Sequence, residues 1–336
     1  MEGTYWFYNC HEQRRLDEIT ALGYKCTGRL WNDLANIIQS LSAYMHPSFK
    51  EQLRDMSTSS GQEIEIPNFL ATSFHFDVFS FKILIFTLTT DPVRMLRFNN
   101  CGLSEELVDM LQSIIHLDHI NWIQLDWNPG LPDRKYIDFL KEGTKLQTLS
   151  LRCCNLGNEA IHGICEALKT NKTLKALDLY GNCFNTLTSF AGVLETNRYL
   201  VHLNLAKNNL TDDHIAPFIG VFGRLHFPDD KVEEYRKKEK DLAKAKALKS
   251  KGKQVEPEPP ADELVQDEES KQFYLIKNKV FKRLNLSLNN ISSDHYLRLL
   301  LHQVLPNFKL VLQVNPIPES VKRQLAMGFA DILILN

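Results

Sequence analysis

The sequence predicts an α/β fold, a curved solenoid with parallel strands on its concave face, helices on its convex face and a helical cap at its N-terminal end. Three observations carry this expectation. A short apolar frame recurs seven times along the 336-residue chain. A stretch with helical apolar spacing follows the copies, and the first five begin 27, 26, 28 and 26 residues apart, which suits one strand, one turn and one helix per unit.

The frame is an apolar residue, apolar residues (usually leucine) at offsets three and five, Asn or Cys at eight and an apolar residue at ten. Leu174, Leu177, Leu179, Asn182 and Phe184 make one copy; Leu200, Leu203, Leu205, Asn208 and Leu210 make another, and Phe281, Leu284, Leu286, Asn289 and Ile291 a third. Leu146, Leu149, Leu151, Cys154 and Leu156, and then Val93, Leu96, Phe98, Cys101 and Leu103, place Cys in the Asn slot. Ile120, Ile123, Leu125 and Asn128 form a weaker copy, shifted at its end by Pro129-Gly130-Leu131. The terminal copy is Leu310, Leu312, Asn315 and Ile317, entered from the polar Asn307.

This pattern resembles the leucine-rich repeat, in its long, ribonuclease-inhibitor-like form. Side chains at offsets three and five point inward from a short strand, and the Asn at offset eight satisfies backbone groups where the chain turns away. Cys101 and Cys154 are therefore expected as turn-supporting thiols, not nucleophiles. Ala160, Ile161, Ile164, Ala167 and Leu168 give the segment 157–170 one apolar helix face. Such units cannot bury that face alone, so stacked copies share one core.

Four regions are expected. Residues 1–80 lack the frame and contain a stripe of Leu30, Leu34, Ile37, Ile38, Leu41 and Met45, a helix over 29–44 that Pro47 ends, read as the cap. Ser57–Gly61 reads as a loop. Repeats fill 81–227, opening with Phe81, Leu84 and Phe86 as a strand. The next frame starts 81 residues after Leu200, so 228–278 is an insertion. Its Lys231–Lys253 part carries ten basic and four acidic residues and favours an exposed helix; Gln254–Ser270 carries seven acidic and no basic residue, with Pro257, Pro259 and Pro260 opposing helix at its start. Final repeats and a C-terminal cap occupy 279–336.

The formal charge is −2, from 39 basic and 41 acidic residues, so no global pull toward nucleic acid or an anionic membrane is expected. Seven cysteines without a C-x-x-C pair suit a reducing, cytoplasmic setting. The first residues lack the basic and long apolar regions of a secretory signal and no run of about 20 apolar residues occurs, so neither a secretory leader nor a membrane span is expected. No phosphate loop, dinucleotide fingerprint, zinc-protease or serine-hydrolase motif occurs, so neither an enzyme, a cofactor, a metal nor a small-molecule substrate is expected. His116 and His119 lack the companions a metal needs, and a bridge between adjacent Cys153 and Cys154 would be strained.

Binding is expected on the concave strand face, at offsets two, four and six: Arg97, Trp122, Gln124, Asp126, Arg152, Asp178, Tyr180, His202, Asn204, Arg283 and Asn285. Trp, Tyr and Arg favour interface hot spots, which singles out Trp122, Tyr180 and Arg152. Arg236, Lys237, Lys238, Lys240 and Lys244 of the insertion make a basic secondary tether, suited to an acidic protein surface such as tubulin. With Tyr235 as the one aromatic there, a stacking platform for nucleic acid is lacking.

The stretch Glu195–Asn209, the lysine-rich insertion, and Lys277-Asn278-Lys279-Val280 leading into Leu284, Leu286, Asn289 and Ile291 together resemble the layout of the family of leucine-rich repeat-containing protein seventy-one. That resemblance implies a non-catalytic building block of the motile cilium or flagellum, in a radial spoke, a nexin link or the central apparatus, with axonemal subunits or tubulin as partners. The alternative is a soluble regulatory solenoid that inhibits an enzyme or regulates a small GTPase. Arg94, Arg97 and Arg152 are ordinary strand positions, and nothing marks any of them as a catalytic arginine.

Overall fold

The computed structural model describes residues 4–5, 7–8, 23–41, 44–45, 68–249, 262–305 and 307–335. Pro47, the Ser57–Gly61 loop and Pro257–Pro260 lie outside the described residues. Two compact units divide the chain, one of residues 1–167 and 173–183, the other of 168–172 and 184–336.

In the first unit, helix α1 (Leu30–Ser40) buries Leu30, Leu34, Ile37 and Ile38 of the expected stripe, but it ends at Ser40, before the expected 44, and Tyr44–Met45 is a short strand. Strand β1 (Phe69–Thr72) follows, then helix α2 (Val78–Leu88). The anticipated strand at Phe81, Leu84 and Phe86 is thus a helix. Its run is apolar on every side, so periodicity cannot separate a buried strand from a buried helix. The cap decides: Asp77 Oδ1 accepts the Ser80 N–H at 2.9 Å, satisfying one open donor of the first turn. Strand β1 takes the ladder position instead, pairing with β2 (Met95–Asn99) in parallel.

After β2 come α3 (Glu105–Gln112), β3 (Trp122–Gln124), α4 (Asp133–Ile137), β4 (Thr148–Ser150), α5 (Asn158–Thr170) and β5 (Ala176–Asp178). Strands β1 to β5 are parallel neighbours in chain order. The offset-three residues Leu96, Ile123, Leu149 and Leu177 share one register row, and all are buried. Each such burial contributes about 1.5–3 kcal/mol, and a slip of one residue would turn the whole row to solvent.

The second unit holds α6 (Thr188–Thr196), β6 (His202–Asn204) and α7 (Asp212–Ile215), then β7 (Gly223–Phe227), α8 (Val232–Lys249), β8 (Glu263–Gln266) and β9 (Phe273–Lys277). It continues with β10 (Arg283–Asn285), α9 (Asp294–Gln303), β11 (Lys309–Val311), α10 (Glu319–Phe329) and β12 (Leu333–Ile334). Strands β6, β10, β11 and β12 form a parallel ladder in that order. Leu203 therefore lies directly beside Leu284, and the insertion is left out of the stack.

Rather than a bare basic helix with an acidic arm, the insertion contributes β8 and β9 to an antiparallel sheet, β7-β9-β8, whose strand β7 comes from residues 223–227, expected as the end of the repeats. Leu264 and Val265, within the acidic stretch, pair with Leu275 and Tyr274. The Arg224 guanidinium lies 3.8 Å from the Tyr274 ring centre and 2.5 Å from Asp267, which ties β7 to both partners. The Ser270 amide, and then that pairing and the Ser270 hydroxyl, hold the Asp267 carboxyl well below the usual range.

Asparagine ladders lock the repeats. Asn128 Nδ2 donates to the carbonyls of Phe98, Leu125 and Asp126, and its Oδ1 accepts the Cys101 and Leu103 amides. Asn182 and Asn289 likewise donate to carbonyls of their own frame and the one before, and accept two amides of the frame before. Cys154 Sγ reaches the Leu125 carbonyl at 3.2 Å and Cys101 Sγ the Asn99 carbonyl at 3.3 Å, as expected of thiols in that slot. Burial pushes both thiols up to about 12, which keeps them protonated donors. A second ladder closes the helix ends: Asn197 donates to Leu168 and Asn171, and Asn278 to Leu194 and Asn197, across the insertion.

One residue before the Asn or Cys slot, at offset seven, the backbone is left-handed in every copy: Asn100, Trp127, Cys153, Gly181, Lys207, Leu288 and Val314 all have positive φ. A β-branched residue tolerates this worst, and Val314 adopts φ 58° while 73% exposed. Replacing Val314 with Asn, which visits that region readily, is expected to raise stability by about 1 kcal/mol, read from the urea midpoint. An unchanged midpoint would show that the turn carries no strain.

Candidate partner-binding site

In the first unit the register sets Arg97, Gln124, Ser150 and Asp178 in one row. Arg97 Nε donates to Gln124 Oε1 at 3.0 Å, and Gln124 Nε2 donates to Asp126 Oδ2 at 2.5 Å. Asp126 Oδ1 in turn accepts the Ser150 hydroxyl at 2.6 Å and the Arg152 amide at 3.0 Å. Asp126 is only 3% exposed, so this expected contact residue is given over to structure, fastening its own strand to β4 and, through Gln124 and Arg97, to β2.

The offset-two row contains Met95, Trp122, Thr148 and Ala176. Trp122 stands among smaller neighbours and is 40% exposed. Arg94, Met95, Arg97, Trp122, Gln147 and Thr148 line an open depression of about 370 Å³ with Asn68 and Asn121. Farther along, the Arg152 guanidinium lies 4.5 Å from the Tyr180 ring centre, which holds two hot-spot side chains in one half-buried plane. Asp178 Oδ1 accepts the Tyr180 amide at 3.0 Å.

The second unit sets His202 beside Arg283, and Asn204 beside Asn285. Asn204 and Asn285 accept the amides of Ala206 and Ser287, the same side-chain-to-backbone brace that Asp178 makes. Burial, and then the Arg283 charge, hold the His202 imidazole below its ordinary pKa, so it is neutral near pH 7. Lys309 continues the row from Arg283, making this edge basic.

On α8, Arg236 lies 5.4 Å from the Phe273 ring centre, Lys238 pairs with Glu234 at 2.6 Å, and Lys244 lies 3.9 Å from Asp241. Lys237 and Lys240 are exposed. The expected tether therefore spends part of its charge within its own helix.

Sequence reasoning missed Trp127, 57% exposed at the left-handed offset-seven turn, and Arg94 in the depression. The recurrence of one slot before each Asn or Cys is the signal that would have found Trp127. Among the described residues, no helix is long and apolar enough to cross a membrane.

A family model described as Leucine Rich repeat matches residues 144–165 and 196–213, two of the frames given above. The C-terminal domain of tropomodulin from Caenorhabditis elegans is 13% identical over 34% of this chain and 74% of its own, with a TM-score of 0.30. Internalin C2 from Listeria monocytogenes is 12% identical over the whole of both chains, with a TM-score of 0.42. A structure of the yeast Rad7 and Elc1 complex is 11% identical over 95% of this chain and 86% of its own, with a TM-score of 0.31. No curated protein matches the sequence. The leucine-rich repeat class rests on the matched frames together with the parallel register and the asparagine ladders.

Proposed function

We propose that this chain is a non-catalytic scaffold for protein–protein interaction that serves as a structural component of the motile cilium or flagellum axoneme. The observation that carries the scaffold reading is the strand-side surface of the first unit, where Trp122 stands exposed in a depression flanked by Arg94 and Arg97, with the Arg152–Tyr180 pair farther along the sheet. An aromatic anchor ringed by cations suits an acidic protein partner. Arg283 and Lys309, side by side on the strand face of the second unit, and the exposed Lys237 and Lys240 add charge of the same sign. The ciliary placement is supported by the layout of repeats around a lysine-rich insertion, with tubulin or an axonemal subunit as the partner class.

Detergent and then high-salt extraction of axonemes from cells expressing the tagged chain tests this. Retention through detergent is expected, with release by salt. Trp122→Ala should cut incorporation by at least about tenfold at unchanged melting temperature, because that side chain is exposed. A wholly detergent-soluble protein would overturn the axonemal role and favour a soluble regulator. Normal incorporation of Trp122→Ala would move the contact away from this face.

A further inference from the structure

Outside the strand faces, one group of side chains is left electrostatically incomplete. Cys26, Asp33 and Asp91 bring a thiol sulfur and two carboxylate oxygens within 4.8 Å of one another in the first unit. Asp33 and Asp91 are both 0% exposed and Cys26 is half-buried. Asp33 is fully braced: it accepts the Tyr24 hydroxyl at 2.7 Å, the Thr27 amide at 2.7 Å, the Thr27 hydroxyl at 3.0 Å and the Arg29 amide at 3.3 Å. Asp91 is the opposite case, with neither carboxylate oxygen hydrogen-bonded among the described residues. Its backbone is fixed, its amide on the Thr87 carbonyl at 2.9 Å and its own carbonyl accepting from Val93 at 2.8 Å, so the side chain is held facing the cluster.

An unpartnered buried carboxylate beside a second carboxylate is costly and calls for a positive charge. Burial, then the Asp33 charge and the closeness of the two carboxyl groups, push Asp91 up to about 7, and the Gly28 amide acts weakly the other way. For Asp33 burial acts upward too, but the hydrogen bonds from Tyr24, Thr27 and Arg29 outweigh it and hold that carboxyl below its usual value. Among the described residues, no cation is one of the groups acting on these three.

We propose that Cys26, Asp33 and Asp91 hold a zinc-type divalent ion that fastens the N-terminal helix to the entry of the first full repeat. A thiolate with two carboxylates suits a borderline-soft ion, whereas calcium and magnesium need more oxygen ligands than the cluster offers. A tetrahedral zinc ion with ordinary bond lengths sets its ligand atoms about 3.4–3.6 Å apart, within reach of small side-chain rotations here, and leaves a fourth position for water. The brace on Asp33 is the outer shell such ligands require. On binding, the Cys26 S–H bond breaks, its proton leaves to solvent and the sulfur pair bonds to the metal. Asp33 sits on α1, Cys26 in the segment before it and Asp91 just before Val93, the start of the first full frame, so one ion would tie three separate stretches of chain.

The full chain, stripped with chelator and dialysed against zinc, should retain one ion per molecule by elemental analysis. Cobalt in its place should give a thiolate-to-metal charge-transfer band. Cys26→Ser should abolish that band, whereas Cys183→Ser should keep it; Asp91→Asn should weaken binding by about tenfold or more. Chelator should lower the melting temperature of the natural chain and leave the Cys26→Ser and Asp91→Asn variants, checked for folding by circular dichroism, unmoved. Equal uptake by the natural chain and Asp91→Asn would overturn the site, as would a band that survives Cys26→Ser. So would absence of uptake with a higher melting temperature for Asp91→Asn, which would show that a proton relieves the carboxylate pair.

Discussion

Replacing Asn289 with alanine is expected to destabilise the second unit by about 3–5 kcal/mol, measured by urea unfolding. Five hydrogen bonds meet on this one amide: Nδ2 donates to Leu205, Leu286 and Ser287, and Oδ1 accepts from Asn208 and Leu210. They do not all count equally. The Leu286 carbonyl also receives Asn315 Nδ2 at 2.9 Å and the Ser287 carbonyl receives the Lys207 amide at 2.9 Å, so both keep a partner. The Leu205 carbonyl and the Asn208 and Leu210 amides lose the bond that Asn289 gives them, and their residues are 0% exposed. Each of these three groups so deprived costs about 1–3 kcal/mol, and values toward the lower end, as neighbours relax, set the expected range. Asn289→Cys should recover about half, because a thiol donates to one carbonyl, as Cys154 does to Leu125, but accepts amides weakly. Full recovery by Cys would mean that the donated bonds alone carry the effect.

That ladder was legible from sequence because it repeats. Asn182, Asn208 and Asn289, with Cys101 and Cys154 in the equivalent slot, sit at a constant distance behind buried leucines, and constant spacing survives any ignorance of the neighbouring strand. What failed to show needed cross-strand knowledge. Asp126 reads as a surface strand residue until the register places the Ser150 hydroxyl and the Arg152 amide on its carboxylate, 24 and 26 residues away in the chain. The helix at Val78–Leu88 was hidden for another reason: its apolar residues face every direction, and one capping bond from Asp77 distinguishes it from a strand. The sheet of the insertion is built from short strands such as Glu263–Gln266, whose few residues carry little pattern.

Gly223→Ala is expected to cost about 2–5 kcal/mol, and its comparison with Gly220→Ala isolates why. Gly223 begins β7 at φ 89°, so any Cβ meets the left-handed penalty of about 1–2 kcal/mol. It also meets protein: an added Cβ would lie 2.0 Å from the Gln303 carbonyl oxygen, 2.8 Å from its carbon and 3.3 Å from Val304 Cα. All three are backbone atoms at the end of α9, which cannot rotate away as a side chain would, and overpacking of this kind adds about 1–3 kcal/mol. Gly220 has nearly the same dihedral, φ 87°, with nothing within 4 Å of its hypothetical Cβ. It should therefore show the dihedral cost alone, since its amide can keep its 2.7 Å bond to Gln303 Oε1. The excess in Gly223→Ala measures how tightly β7 is pressed on α9. Because β7 pairs with β9 from Gly223 opposite Lys277, the strain should open the insertion sheet first and make the 223–277 segment more sensitive to limited proteolysis. Equal losses in the two variants would show that the insertion sheet rests loosely on the last repeats and moves aside at no cost.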